Sequence, residues 1–130
     1  ALAPIAALPL PVIVLLVVLF MTFITEINSN TATASIFLPV LATMATAGHT
    51  HPFLLMIPAT FACSCAFMLP SGTGPNAVIF GSGQVTIPQM SRAGLRMNFI
   101  SVVMLSVIMV LFAIPLLDIS GTPPAWATLP

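Results

Sequence analysis

Charge is what this sequence almost entirely lacks. Its acids are Glu26 and Asp118, its bases are Arg92 and Arg96, and it has no lysine, so 3% of the 130 residues are charged. A water-soluble domain carries about 25% charged residues, because its surface must face water. The shortage excludes a soluble globular protein. It also excludes a basic nucleic-acid face, so no nucleic-acid partner is expected. Cysteine is scarce as well. Cys63 and Cys65 stand two apart in an apolar run and would point to different faces of a helix, which rules against a disulfide between them. No matching ligands lie nearby for a metal, so the pair reads as small packing residues. There is no Ser/His/Asp arrangement and no acid pair suited to hydrolysis, so the chain does not read as an enzyme. Ala1 to Pro11 has no basic n-region, which argues against a signal peptide. It lacks an initiator methionine too, and the chain is expected to be a piece of a longer protein.

What is present is apolar. Hydrophobic residues make up 59% of the chain, and mean hydropathy is +1.21. In hydrocarbon every backbone polar group must be paired internally, which leaves helices as the natural spanning element and predicts an all-α membrane protein. Pro9 to Ile27 is the first apolar block. Its interior is β-branched and aliphatic, but about 19 apolar residues suit a membrane helix. Ala32 to Ala47 is the second, marginal for a full crossing and interrupted by Pro39. Two helices meeting at a polar tip predict a re-entrant hairpin over about 9–47. Pro52 to Leu69 and Pro75 to Phe80 predict one crossing broken in its middle, over about 52–81. A polar connector over about 82–97 holds both arginines. Asn98 to Leu117 predicts the last spanning helix, about 98–117, followed by a Pro-rich tail over 118–130 with Trp126. Arginines flank that helix on one side, so the connector is expected in the cytoplasm, with the tail and the opening of the hairpin outside. The eight methionines read as packing or lipid-facing residues.

Two polar clusters interrupt this apolar sequence. The first is Thr25-Glu26-Ile27-Asn28-Ser29-Asn30-Thr31-Ala32-Thr33, and the second is Ser71-Gly72-Thr73-Gly74-Pro75-Asn76. Polar groups at membrane depth are costly and mark substrate or ion paths. Paired interruptions of hydrophobic helices point to a transporter binding site. In the first cluster Ser29, Asn30 and Thr31 can cap a new helix, whose exposed N–H groups favour an anion. The carbonyls that end the preceding helix favour a cation, and the Asn30 amide oxygen suits Na⁺. In the second, Gly72 and Gly74 free the backbone, Thr73 adds a hydroxyl, and Asn76 stands at a helix start. Each cluster can also be read as plain capping or a glycine/proline kink. Glu26 fits either a proton or cation site or a structural acid hydrogen-bonded at the hairpin. His49 and His51, beside Gly48 and Pro52, read as loop polarity rather than a metal site.

At these residues the sequence resembles the divalent-anion/Na⁺ symporters, the family of INDY-type carriers of dicarboxylates, citrate and sulfate. The matching words are T-E-x-x-S-N-T-A-T (Thr25 to Thr33), C-A-F-M-L-P (Cys65 to Pro70) and G-T-G-P-N-A-V-I-F-G (Gly72 to Gly81). The match covers nearly the whole chain and corresponds to the family's C-terminal half. The resemblance implies one inverted repeat of an elevator-type transporter, usually a homodimer, completed by an upstream half with its own S-N-T hairpin. It implies Ser29, Asn30, Thr31 and Thr73 as substrate contacts. It further implies a Na⁺ site at Asn30 with the carbonyls of Thr25, Asn28 and Gly72. Gly74 departs from the family, where many members have proline. Further candidates are Gly74 itself and Asn76.

The expected function is secondary active transport of small divalent anions, dicarboxylates such as succinate or malate, coupled to Na⁺ without an organic cofactor. The alternatives are a Na⁺-independent dicarboxylate or anion exchanger on the same fold, and a non-transporting membrane subunit. The expected location is the plasma membrane, as a multi-pass protein in the lipid bilayer, the inner membrane of a bacterium.

Overall fold

The computed structural model describes residues 8–119 and 124–127, and among these the regular structure is entirely helical. Helix α1 spans Leu10–Ile24 and α2 spans Asn30–Ala47. Two short helices follow, α3 at Phe53–Ala62 and α4 at Gly74–Gly81. Helix α5 spans Ile87–Ile108 and continues through a π-helical turn, Met109–Ala113, into a last α-helical turn, Ile114–Leu116. A short 3₁₀ turn at Ala125–Ala127 follows. Residues 120–123 and 128–130 of the tail and the Trp126 side chain lie outside the described residues.

Proline sets the start of α1, with Pro11 in the first turn, where no N–H is needed. Val14, Val18, Met21 and Thr22 recur at helical spacing and turn inward, fully buried. Leu15, Leu16 and Phe20 on the other side are exposed. α3 packs against both α1 and α2, and α1 also packs against α5. The core joins Val14, Val18 and Met21 of α1 to Leu54, Leu55 and Ala59 of α3 and Val102 of α5. Phe20 and Phe37 bridge the two arms of the hairpin edge to face, with ring centroids 5.2 Å apart.

The structure moves two boundaries read from hydropathy. Apolar sequence runs to Leu69, yet α3 ends at Ala62. The amides of Phe67, Met68 and Leu69 turn to the Glu26 carboxylate instead of to carbonyls one turn back. A charged acceptor competes successfully with the helix for those donors. The second correction concerns the polar connector over 82–97, which is largely helix. α5 begins at Ile87, well before Asn98, and carries both arginines. Pro88 fits its first turn, and the Gln89 side chain accepts from the Thr86 N–H and from the Thr86 hydroxyl, both at 2.9 Å. Its next residues (Met90, Arg92, Ala93, Leu95, Arg96) are strong helix formers, whatever their polarity.

Ile87–Leu116 is the helix among the described residues that is long and apolar enough to cross a membrane, with 30 residues. That is ~45 Å of helix against ~30 Å of hydrocarbon, so its first turns extend past the apolar layer. Arg92 and Arg96 lie on those turns, exposed and one helical turn apart. The π turn lies just ahead of Pro115, whose missing N–H and bulky ring disturb the pairing of the preceding turn.

Candidate substrate and ion site

Between α3 and α4 the chain runs without helix from Cys63 to Thr73, and this stretch is held from three directions. Glu26, 4% exposed, accepts from the Phe67 N–H at 2.8 Å, the Met68 N–H at 3.0 Å and the Leu69 N–H at 3.3 Å. Asn76 holds carbonyls of the same loop: its Nδ2 donates to the Ala66 carbonyl at 2.9 Å and the Leu69 carbonyl at 3.0 Å. From α5, the fully buried Asn98 donates its Nδ2 to Glu26 Oε1 at 2.7 Å. Gly94, one turn earlier, lies against the loop backbone itself. A Cβ there would overlap the Phe67 carbonyl and come within 2.6 Å of the Met68 Cα.

Glu26 is thus a clasp: a buried carboxylate whose lone pairs are taken up by four donors. Of the two readings open in the sequence, the structure favours the structural acid. Asn98 and Gly94 escaped sequence reasoning. The signal available was the spacing of Gly94, Asn98 and Ser101, one small or polar face of α5, all buried.

The residues named from the sequence fall on this frame. Thr25 is fully buried, with Oγ1 2.8 Å from Asn30 Oδ1 and 2.8 Å from the Cys63 carbonyl. Ser29 caps α2, its Oγ accepting from the Ala32 N–H at 3.2 Å. Thr73 caps α4 in the same way, accepting from the Asn76 N–H at 3.3 Å. Accepting uses a lone pair, so each hydroxyl keeps its proton to donate to an anion. Asn28, Ser29, Thr31 and Gly74 are exposed, and Asn30 and Thr73 are half-buried. Gly72 is buried, and a Cβ there would stand 3.3 Å from the Leu69 carbonyl and 3.5 Å from Glu26 Oε2. Asn76 spends its amide hydrogens on the loop.

Among the described residues no hydrogen bond joins Ser29, Asn30 or Thr31 to Thr73. The two clusters are linked one step back, through Thr25 to Cys63 and through Glu26 to 67–69. Two helix N-termini, each with unpaired first-turn amides, are therefore fixed on one frame. Among the described residues, the carbonyls of Thr25, Asn28 and Gly72 accept no hydrogen bond. Neutral oxygens without a donor are the ligands a hard cation prefers.

The histidines stand apart from this frame. His51 Nδ1 accepts from the Phe53 N–H at 3.2 Å at the start of α3, and His49 occupies a left-handed turn position (φ 55°) after α2. Among the described residues no group of three or more His, Cys, Asp or Glu could hold a metal.

Residues 3–119 match the model of the sodium:sulfate symporter transmembrane region. The chain belongs to this family. It is 47% identical over 113 residues to the sodium-dependent dicarboxylate transporter SdcS of Staphylococcus saprophyticus, covering 87% of this chain and 22% of that protein. It is 46% identical over 124 residues to the Na(+)/dicarboxylate cotransporter 3 of Rattus norvegicus, covering 95% of this chain and 20% of that protein. The human cotransporter 3 is 45% identical over 126 residues, 97% of this chain and 21% of its own length. The chain thus spans about a fifth of the length of the curated relatives it matches. The matched span includes both polar clusters, Glu26, Asn98 and all of α1 to α5. Family and relatives are membrane carriers rather than enzymes, and the chain is a multi-pass protein of the plasma membrane.

Proposed function

We propose that this chain forms the C-terminal repeat of a Na⁺-coupled carrier of small divalent anions, dicarboxylates such as succinate or malate foremost. The observation that carries the reading is the frame around the two interruptions. It leaves the carbonyls of Thr25, Asn28 and Gly72 without a donor and holds Asn30 beside Thr25. These oxygens and the Asn30 amide are the proposed Na⁺ ligands. Ser29, Asn30, Thr31 and Thr73, at the N-termini of α2 and α4, are the proposed anion contacts. The relatives' names, sodium-dependent dicarboxylate transporter and Na(+)/dicarboxylate cotransporter, support both halves of this reading.

The proposed work of the site is electrostatic. Na⁺ at the loop carbonyls offsets part of the anion's charge, and the helix N-termini supply donors without rearrangement. Ion and anion then bind cooperatively, each strengthening the other by the same factor. An elevator-type architecture, an upstream half with a second polar hairpin and a homodimer complete the proposal. The broad exposed apolar surface, with Ile36, Val40, Phe61 and Val78 all uncovered, is consistent with lipid and further protein around this repeat. The deciding experiment is succinate uptake by the full-length carrier in proteoliposomes. An inward Na⁺ gradient should drive accumulation and its removal should stop it. Uptake that ignores Na⁺ and requires an internal dicarboxylate would replace the symporter with an exchanger.

A further inference from the structure

The contacts of Thr25 contain a conflict whose resolution assigns this side chain a role. Its Oγ1 is 2.8 Å from the Cys63 carbonyl and 2.8 Å from the Asn30 side-chain oxygen. Both neighbours are acceptors, and a hydroxyl has one proton to give. If the proton goes to Asn30, the Cys63 carbonyl, which accepts from no other group among the described residues, is left unpaired beside a fully buried side chain. If it goes to Cys63, two oxygens face each other at hydrogen-bond distance with no proton between them. The two ends of a carboxamide have the same shape, and hydrogen bonding decides which is which. Turning the Asn30 amide over satisfies all three groups at once. Nδ2–H then donates to Thr25 Oγ1, and Oγ1–H donates to the Cys63 carbonyl. Two bonds aligned in one direction also polarise and strengthen each other.

We propose that Thr25 is a positioning residue for the coupling cation. Through this relay its hydroxyl holds the Asn30 amide with Nδ2 towards itself and leaves Oδ1 free for the ion. The inference rests on the reading of Asn30 as a cation ligand given above. The relay ends on the first residue after α3, so it also ties the orientation of a ligand on α2 to the start of the broken segment. Without it, the amide can present either end to the ion, and the Nδ2 end repels a cation.

The test is Na⁺-dependent thermal stabilisation of the full-length carrier in detergent, without substrate, on Thr25→Val, Thr25→Ser and Asn30→Ala. Thr25→Val keeps the shape and the backbone carbonyl but removes the hydroxyl. It should weaken apparent Na⁺ affinity by about three- to tenfold, the worth of one ordinary hydrogen bond. Thr25→Ser, which keeps the hydroxyl, should bring it back to within about twofold. A merely structural role would lower the melting temperature in zero Na⁺ without moving the Na⁺ midpoint. If Thr25→Val does not fold, Thr25→Cys, with a thiol that donates weakly, is read by the same criterion. A Thr25 variant with a wild-type Na⁺ midpoint, alongside an Asn30→Ala that has lost Na⁺ stabilisation, would overturn the relay and leave the cation site standing. A wild-type midpoint in Asn30→Ala would overturn the cation reading itself, and the relay with it.

Discussion

Glu26 and Asn30 sit four residues apart on the same polar tip, yet the structure separates what each should do when changed. Asn30 is half-buried, and its one side-chain hydrogen bond among the described residues is to Thr25. Asn30→Ala should therefore abolish Na⁺-stimulated uptake while the carrier still elutes as a folded species in detergent. Wild-type Na⁺ dependence in that variant would remove Asn30 from the ion site. Glu26 is the opposite case, with four donors on one buried carboxylate. Hydrogen bonds to a charged group contribute about 1.5–3 kcal/mol each, and Glu26→Ala strands all these donors. It should lower the melting temperature steeply and abolish Na⁺ and substrate responses together. A folded Glu26→Ala carrier that loses only one of the two responses would mean that the carboxylate touches a ligand. Thr31→Val and Thr73→Val should each weaken anion binding roughly ten- to a hundredfold, by loss of one donor to a charge. Thr73→Val also removes the cap of α4, which costs about 1 kcal/mol of stability, so Thr73→Ser is the control that separates the two effects. Unchanged substrate affinity in both valine variants would clear these hydroxyls of contact with the anion. At this scale the sequence was informative about residue type. A carboxylate, amides and hydroxyls in an apolar chain announce themselves. It was silent about the clasp, because three of the partners of Glu26 are backbone amides, which have no side-chain signature.

At the scale of elements, hydropathy located the helices and misplaced some of their ends. It measures transfer out of water, whereas a helix ends where its donors find something better. The end of α3 at Ala62 is set by a residue in the turn between α1 and α2, and nothing within Pro52 to Leu69 encodes it. The start of α5 was obscured for the converse reason: arginine and glutamine look like loop by hydropathy and are good helix formers by propensity. The tip of the hairpin was legible throughout, because capping by Ser29 is a local property of Ser-Asn-Thr. Gly94→Ala places a methyl group in the Phe67 carbonyl, so α5 and the loop must part. It should destabilise the carrier by about 1–3 kcal/mol, as overpacking does, despite the higher helix propensity of alanine. Gly81→Ala, where a Cβ meets nothing within 4 Å, should be neutral or slightly stabilising. Melting curves of the two variants in detergent make the comparison, and equal behaviour would show that the loop does not rest on Gly94.

For the whole molecule, the surface is as telling as the core. Phe99, Ile100, Val103, Met104, Val107, Leu111 and Phe112 lie exposed along α5, an apolar face that water would not tolerate and lipid or neighbouring helices would cover. With Arg92 and Arg96 on the first turns of a 30-residue span, the proposed orientation puts the two ends of that helix on opposite sides of the bilayer. In the full-length carrier with Cys63 and Cys65 replaced, a cysteine at Arg92 should react only from the cytoplasm. A cysteine at Trp126 should react only from outside. Labelling of both from the same face would overturn the orientation and the outward-opening hairpin.

The clasp on Glu26 has a consequence in time. Its nearest partner in sequence lies 41 residues downstream and Asn98 lies 72 downstream. At about 5–20 residues per second of synthesis, Asn98 leaves the ribosome roughly 4–14 s after Glu26. Until residues 67–69 follow, the carboxylate has no partner, and from then until Asn98 arrives it holds those three amides without its one side-chain donor. The site is therefore completed from its far end. A ribosome stalled before α5 would leave a chain that holds both polar clusters and the links between them, but neither the Asn98 donor nor the Gly94 seat for the loop.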